Sequence, residues 1–156
     1  MPPEYLTKEG FKKYQDELDY LLTERRKEVA ERLREAAESS LGEFVEDAEF
    51  EAAKNEQSFV EGRIKELQIL LANARVIDKS KKKHDTVEIG STVTIREGRR
   101  KPEDYIIVGA AEANPRNGKI SHESPLGRAL LGKKEGDKAE VKAPSGSFTV
   151  RIVKVK

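Results

Sequence analysis

Residues 50–67 read Phe50-Glu51-Ala52-Ala53-Lys54-Asn55-Glu56-Gln57-Ser58-Phe59-Val60-Glu61-Gly62-Arg63-Ile64-Lys65-Glu66-Leu67, and this stretch decides the fold. Phe50, Ala53, Gln57, Val60, Ile64 and Leu67 fall at alternating steps of three and four. Leu71 and Ala74 continue the series, in which Gln57 is the single polar member. Such steps keep side chains on one narrow stripe of an α-helix, the seam of a coiled coil. No proline interrupts the run and Gly62 is its one glycine. A helix of about 30 residues is predicted, roughly 45 Å long at 1.5 Å per residue.

Toward the N-terminus lies a second helix of the same kind. Thr7 is the predicted N-cap, Glu9 stands in the first turn, and Leu6 and Phe11 have the spacing of a hydrophobic staple. Phe11, Tyr14, Leu18 and Leu21 keep the three–four rhythm, which blurs at Arg25 and resumes, shifted, at Val29, Leu33 and Ala36. Two long helices joined by a short turn make an antiparallel hairpin. One thin seam buries little for that length, so the rod is suited to be a probe, a spacer or a dimerisation arm.

The turn reads Glu38-Ser39-Ser40-Leu41-Gly42-Glu43-Phe44-Val45-Glu46-Asp47-Ala48-Glu49-Phe50-Glu51. Ser39, Ser40 and Gly42 can end the first helix, and the second is expected to start between Glu43 and Glu46. A helix dipole favours acids at an N-terminus, which explains part of the cluster structurally. The rest calls for another account. The acids gather at the far end of the hairpin, away from compensating lysines, beside apolar Leu41, Phe44 and Val45. An acidic, apolar tip on a rod is suited to entering another molecule's site. Glu43 and Glu46, three apart, would share one helix face and could ligate one hard cation such as Mg2+. Two carboxylates are too few to hold it tightly, so most ligands would come from a partner.

Composition narrows the classes. The chain of 156 residues can hold one ordinary domain or two small ones. With no cysteine, disulfide and thiol chemistry are excluded, and with His84 and His122 the only imidazoles a zinc site is not expected. No apolar run is long enough to span a membrane, and Met1-Pro2-Pro3-Glu4-Tyr5 does not open a signal peptide, so a cytoplasmic protein is expected. Lys plus Arg number 30 against 29 Asp plus Glu, a near balance that argues against wholesale coating of nucleic acid. The halves differ, however. Residues 1–78 carry 12 basic and 19 acidic side chains, a difference of −7, and residues 79–156 carry 18 and 10, a difference of +8. The sign reversal predicts two modules, 1–78 and 79–156, divided at Lys79-Ser80-Lys81-Lys82-Lys83-His84-Asp85.

The C-terminal half reads as α+β. Strands are predicted at Val87 to Arg96, Tyr105 to Val108, Lys119 to His122, Lys138 to Ala143 and Phe148 to Val155, with Ser145-Gly146 as a hairpin turn. Ser124 is placed to cap a short helix that has Pro125 at its first position. His122, at a strand edge, reads as a packing or surface residue. No phosphate-binding Gly-rich loop and no credible Ser/His/Asp set is present.

The chain resembles the Gre-type bacterial transcript-cleavage factors. Their tip has the form Gly-Asp-Leu-x-Glu-Asn-Ala-Glu-Tyr, and here it is Gly42-Glu43-Phe44-Val45-Glu46-Asp47-Ala48-Glu49-Phe50. Glu51-Ala52-Ala53-Lys54, Glu61-Gly62-Arg63-Ile64, Leu6-Thr7-x-x-Gly10 and Ala72-Asn73-Ala74-Arg75-Val76-Ile77-Asp78 also look like the family. So do Ser124-Pro125-Leu126-Gly127-Arg128-Ala129-Leu130-Leu131-Gly132 and Gly136-Asp137, so the resemblance covers essentially the whole chain. The departures fall mainly on the tip: Glu43 for aspartate, Asp47 for asparagine, Phe50 for tyrosine, about two extra residues near Ser40-Leu41, and Ala37 where a base is common late in the first helix.

The resemblance implies an α+β protein, an N-terminal antiparallel coiled-coil hairpin followed by a globular domain similar to FK506-binding proteins but without isomerase activity. It implies a monomer with no membrane partner that binds bacterial RNA polymerase and sends the hairpin down its secondary channel. Glu43 and Glu46 would there complete the coordination of a weakly held Mg2+ and orient an attacking water, so that the polymerase cleaves backtracked RNA. Asp47 and Glu49 are lesser candidates. Lys54 matches a basic position suited to a phosphate of the RNA 3′ end, though a solvated helix face explains it equally, and Arg32 and Arg34 are weaker still. The altered tip leaves a second expectation, a Gre-like inhibitor of polymerase in the same channel, and a third, a coiled-coil interaction protein without tip chemistry.

Overall fold

The computed structural model describes residues 2–39, 48–78 and 85–156. They fall into two compact units, Lys12–Asn73 and Met1–Phe11 with Ala74–Lys156. Among the described residues no helix is long and apolar enough to cross a membrane.

The hairpin unit is built on the predicted seam. Its first arm comprises α1 (Lys8–Tyr20), a π-helical turn at Leu21–Arg25 and α2 (Arg26–Ser39). Its second arm is α3 (Ala48–Ala72). The arms run antiparallel, because Arg63 of α3 pairs with Glu17 of α1 while Arg26 and Arg32 of α2 pair with Glu61 and Glu56. Val29, Val60 and Ile64 form a buried cluster, with Leu18, Leu21 and Leu22 packed against it. Thr7 caps α1 as predicted, its Oγ1 accepting from the Gly10 amide at 2.9 Å.

The blurred periodicity near Arg25 has a structural cause. The Arg26 amide donates to the Leu21 carbonyl, so this turn holds one residue more than an α turn. An extra residue rotates the rest of the arm by about 100° relative to the sequence rhythm, and both Leu21 and Leu22 become half-buried. Two seam assignments need correction. Gln57 is exposed, and Glu56, with 20% of its side chain exposed, takes the position between Ala53 and Val60. Steps of three or four fit both residues, and Glu56 is chosen because Arg25 and Arg32 neutralise it there. Ala74 is not helical: it opens a strand.

In the other unit, β1 (Glu4–Leu6) pairs in parallel with β2 (Ala74–Val76), a pairing that no local sequence pattern announces. The main sheet contains β3 (Thr92–Arg96), β4 (Glu103–Val108), β5 (Lys119–Ser121), β6 (Lys138–Ala143) and β7 (Gly146–Val155), in the order β5-β4-β3-β7-β6. The β4–β5 pair is parallel and the others antiparallel. One face packs Val93, Ile95, Ile107, Val150 and Ile152 with Leu130 of α4 (Pro125–Leu130) into the core. Ser124 caps α4, accepting from the Gly127 amide at 3.1 Å.

β6 matches its predicted span. β3 is shorter than predicted because the chain turns at Gly90, where φ is +92°, a conformation glycine adopts without strain. The β6–β7 turn is Pro144-Ser145, one residue earlier than expected, since Ala143 and Gly146 pair directly. The packing boundary also departs from the charge boundary after residue 78. Residues up to Phe11 and from Ala74 onward cluster with the sheet, held by the β1–β2 pairing and by Glu112, which accepts from the Thr7 amide and from Thr7 Oγ1, both at 2.7 Å.

Candidate functional site at the hairpin turn

Glu43, Glu46 and Asp47, on which the predicted chemistry rests, lie outside the described residues, and the structure gives their frame. On one side α2 runs to Ser39 and on the other α3 begins at Ala48, with Glu49 and Glu51 in its first turn. Ala36 and Ala53 are the buried seam residues nearest the turn. Side chains this small suit a close approach of two helices and leave the end of the rod slender. Phe50 is half-buried.

Lys54 is exposed one turn further along α3, with Nζ 5.1 Å from the centroid of the Phe50 ring. An exposed cation–π contact of this kind contributes roughly 0.5–1 kcal/mol. It orients the side chain, and among the described residues no carboxylate pairs with the ammonium. The tyrosine-to-phenylalanine departure at residue 50 therefore keeps the aromatic face on which Lys54 rests.

Behind the turn the arms are cross-linked by ion pairs. Glu56 is shared by Arg25 and Arg32, the latter at 2.6 Å. Arg26 meets Glu61 in two bonds of 2.8 and 2.9 Å, and Arg63 meets Glu17 at 2.7 and 3.1 Å. These hydrogen bonds, Glu61 for Arg26 and Glu17 for Arg63, raise both guanidinium pKa values above the ordinary arginine range. Arg34 pairs with Glu31 on its own helix. Arg32 and Arg34 are thus engaged in intramolecular pairs.

His122 packs edge-on against Tyr5, ring centroids 5.5 Å apart, in keeping with a packing role. Glu112 carries no signal in the sequence. It serves as a carboxylate cap for the start of α1, and no local pattern could reveal a partner 105 residues from Thr7. Among the described residues no group of three His, Asp or Glu side chains could hold a metal ion. Carboxylates, the side chains at positions 43 and 46 of the sequence, have the hard oxygen donors that Mg2+ prefers.

Comparison with known proteins bears on the task of such a hairpin. Residues 4–76 match the family model "Transcription elongation factor, N-terminal", and residues 82–156 match "Transcription elongation factor, GreA/GreB, C-term". Transcription elongation factor GreA of Thermoanaerobacter pseudethanolicus is 48% identical over 155 residues, covering 99% of this chain and 98% of that protein. Transcription elongation factor GreA of Chloroflexus aurantiacus is 49% identical over 155 residues with the same coverage. Among solved structures, GreA factor homolog 1 of Thermus thermophilus is 31% identical over 99% of each chain, with a TM-score of 0.46.

Proposed function

The chain belongs to the GreA/GreB family of transcription elongation factors, and from that membership we propose that it binds bacterial RNA polymerase and stimulates the polymerase's own cleavage of backtracked RNA. The chain supplies no complete active site. The sheet-rich unit docks on the polymerase, and the hairpin carries its acidic turn to the RNA. One observation carries this reading: two long antiparallel helices, with small Ala36 and Ala53 as their buried seam residues nearest the turn, flank in sequence the acidic stretch Gly42-Glu43-Phe44-Val45-Glu46, in a chain that matches its family almost end to end.

Glu43 and Glu46 would be the residues that reach a Mg2+ held mainly by the polymerase. Such an ion, when bound, polarises a phosphoryl oxygen and lowers the pKa of a coordinated water. The two carboxylates would orient the attacking water by accepting hydrogen bonds from it, and Lys54 would hold a phosphate near the RNA 3′ end as a charge-assisted donor. Inhibition of polymerase is the less favoured reading, because the GreA relatives at 48 and 49% identity are transcription elongation factors matched over 99% of this chain.

The test is a stalled, backtracked elongation complex. Addition of the chain shortens the RNA from its 3′ end if the proposal holds. RNA that stays intact while synthesis slows would replace stimulation by inhibition.

A further inference from the structure

The positive excess of the C-terminal half has no part in the cleavage reading, and the sheet shows where some of it goes. In the strand register Arg96 of β3 stands opposite Arg151 of β7, and Arg151 stands opposite Lys138 of β6. Directly paired residues project to the same face. All three are exposed, and together with Thr149 and Gly98 they line one open groove of about 290 Å³. Strands about 4.8 Å apart spread the three cations over roughly 10 Å.

Like charges placed directly across a sheet destabilise it, and the nearest acid in register, Glu140 on the same face, stands diagonal to Arg151 rather than opposite it. Among the described residues Arg96, Arg151 and Lys138 have no carboxylate within ion-pair distance. Glu97, adjacent in sequence, pairs with Arg100, and Glu103 accepts from Tyr105. Glu140, two residues from Lys138, is paired in register with Thr149 and makes no ion pair with the row. Arg99 and Lys101, both exposed on the loop after Arg96, add charge of the same sign.

We propose that Arg96, Arg151 and Lys138 form a binding site for closely spaced phosphate groups, with the Thr149 hydroxyl as an additional donor. No aromatic side chain lines the groove, so bases have no stacking platform and phosphates are the recognised chemistry. Those phosphates can belong to a single-stranded nucleic-acid backbone or to a free polyphosphate. The site requires no polymerase and stands whether or not the hairpin stimulates cleavage.

The experiment uses the full chain with two probes and no polymerase: a short fluorescent single-stranded RNA of random sequence, and inorganic tripolyphosphate. Lys138→Thr/Arg151→Thr keeps strand-forming residues in the sheet, and Arg116→Ala, at the β5 side of the unit, serves as a control of equal charge type. If the backbone is the source, the double variant weakens RNA binding severalfold or more, and its log–log salt slope falls by about 0.7 for each cation removed. If free polyphosphate is the source, tripolyphosphate binding is lost in the double variant and kept in Arg116→Ala. A thermal melt of the double variant should be unchanged or higher, since repulsion has been removed, which separates lost binding from lost folding. RNA and tripolyphosphate binding both unchanged in the double variant, or reduced as much by Arg116→Ala, would overturn the site.

Discussion

Single residues distinguish a seam from an apolar count. Glu56 occupies a position that the spacing assigns equally well to Gln57, and two arginines decide between them. Removing Glu56 would leave Arg25 and Arg32 facing each other. We expect Glu56→Ala to lower stability by about 1 kcal/mol, the upper end for partly exposed pairs. Gln57→Ala should stay within about 0.5 kcal/mol of the parent. Urea denaturation of the two variants checks this, and equal effects would return Gln57 to the seam. At the turn, Glu46→Ala should abolish stimulated RNA cleavage with polymerase affinity little changed, because neither the arms nor the sheet are touched. Glu43→Ala should act likewise. Full cleavage by the Glu43/Glu46 double alanine variant, measured on a backtracked complex, would remove these residues from the mechanism. Lys54 belongs to a different class: Lys54→Ala should weaken RNA positioning and leave the arms folded, since its ring contact lies on the surface.

Elements are legible in proportion to how locally their signals are written. β6 is readable because Ala139 and Val141 are buried between exposed Lys138, Glu140 and Lys142, a strict alternation. Helix α3 is legible from its seam and α4 from Ser124 and Pro125. β1 and β2 are not, since three residues are too few for a period and each strand is formed only by its distant partner. The π turn leaves a trace as a phase slip, though a slip alone does not say whether the helix ends or swells. That distinction can be tested. Deleting Thr23, an exposed residue within the turn, should let Leu21–Arg25 close as an α turn with the seam in place on both sides. Deleting Ser58 from α3 removes a residue from a regular helix and should rotate one half of the seam out of contact. A melt that drops little for the first variant and collapses for the second is the expected result. Ile64→Ala, at 2% exposure, should cost about 2–3 kcal/mol, the lower part of the range for a truncated core residue in a two-helix seam.

For the molecule as a whole, the proposed mechanism makes reach a measurable quantity. Deleting seven residues from each arm, in register and outside the π turn, preserves the seam and withdraws the tip by about 10 Å. Such a protein should fold, compete with the parent for polymerase and fail to stimulate cleavage. Undiminished cleavage would show that arm length does not position the chemistry. The acids at 43–47 lie outside the described residues and rest on the sequence reading, whereas the sheet's cation row needs strand register to be seen.

The carboxylate that caps α1 also sets a timetable. Glu112 lies 105 residues beyond Thr7, and β1 has no partner strand until Ala74–Val76 is made. At about 5–20 residues per second, translation from Val76 to Glu112 takes roughly 2–7 s, long compared with helix formation. The middle of the chain can therefore coil on the ribosome while both ends wait, and the first residues to be synthesised are among the last to find their place. A nascent chain halted short of residue 112 would hold Thr7 with its amide and hydroxyl still unclaimed by that carboxylate.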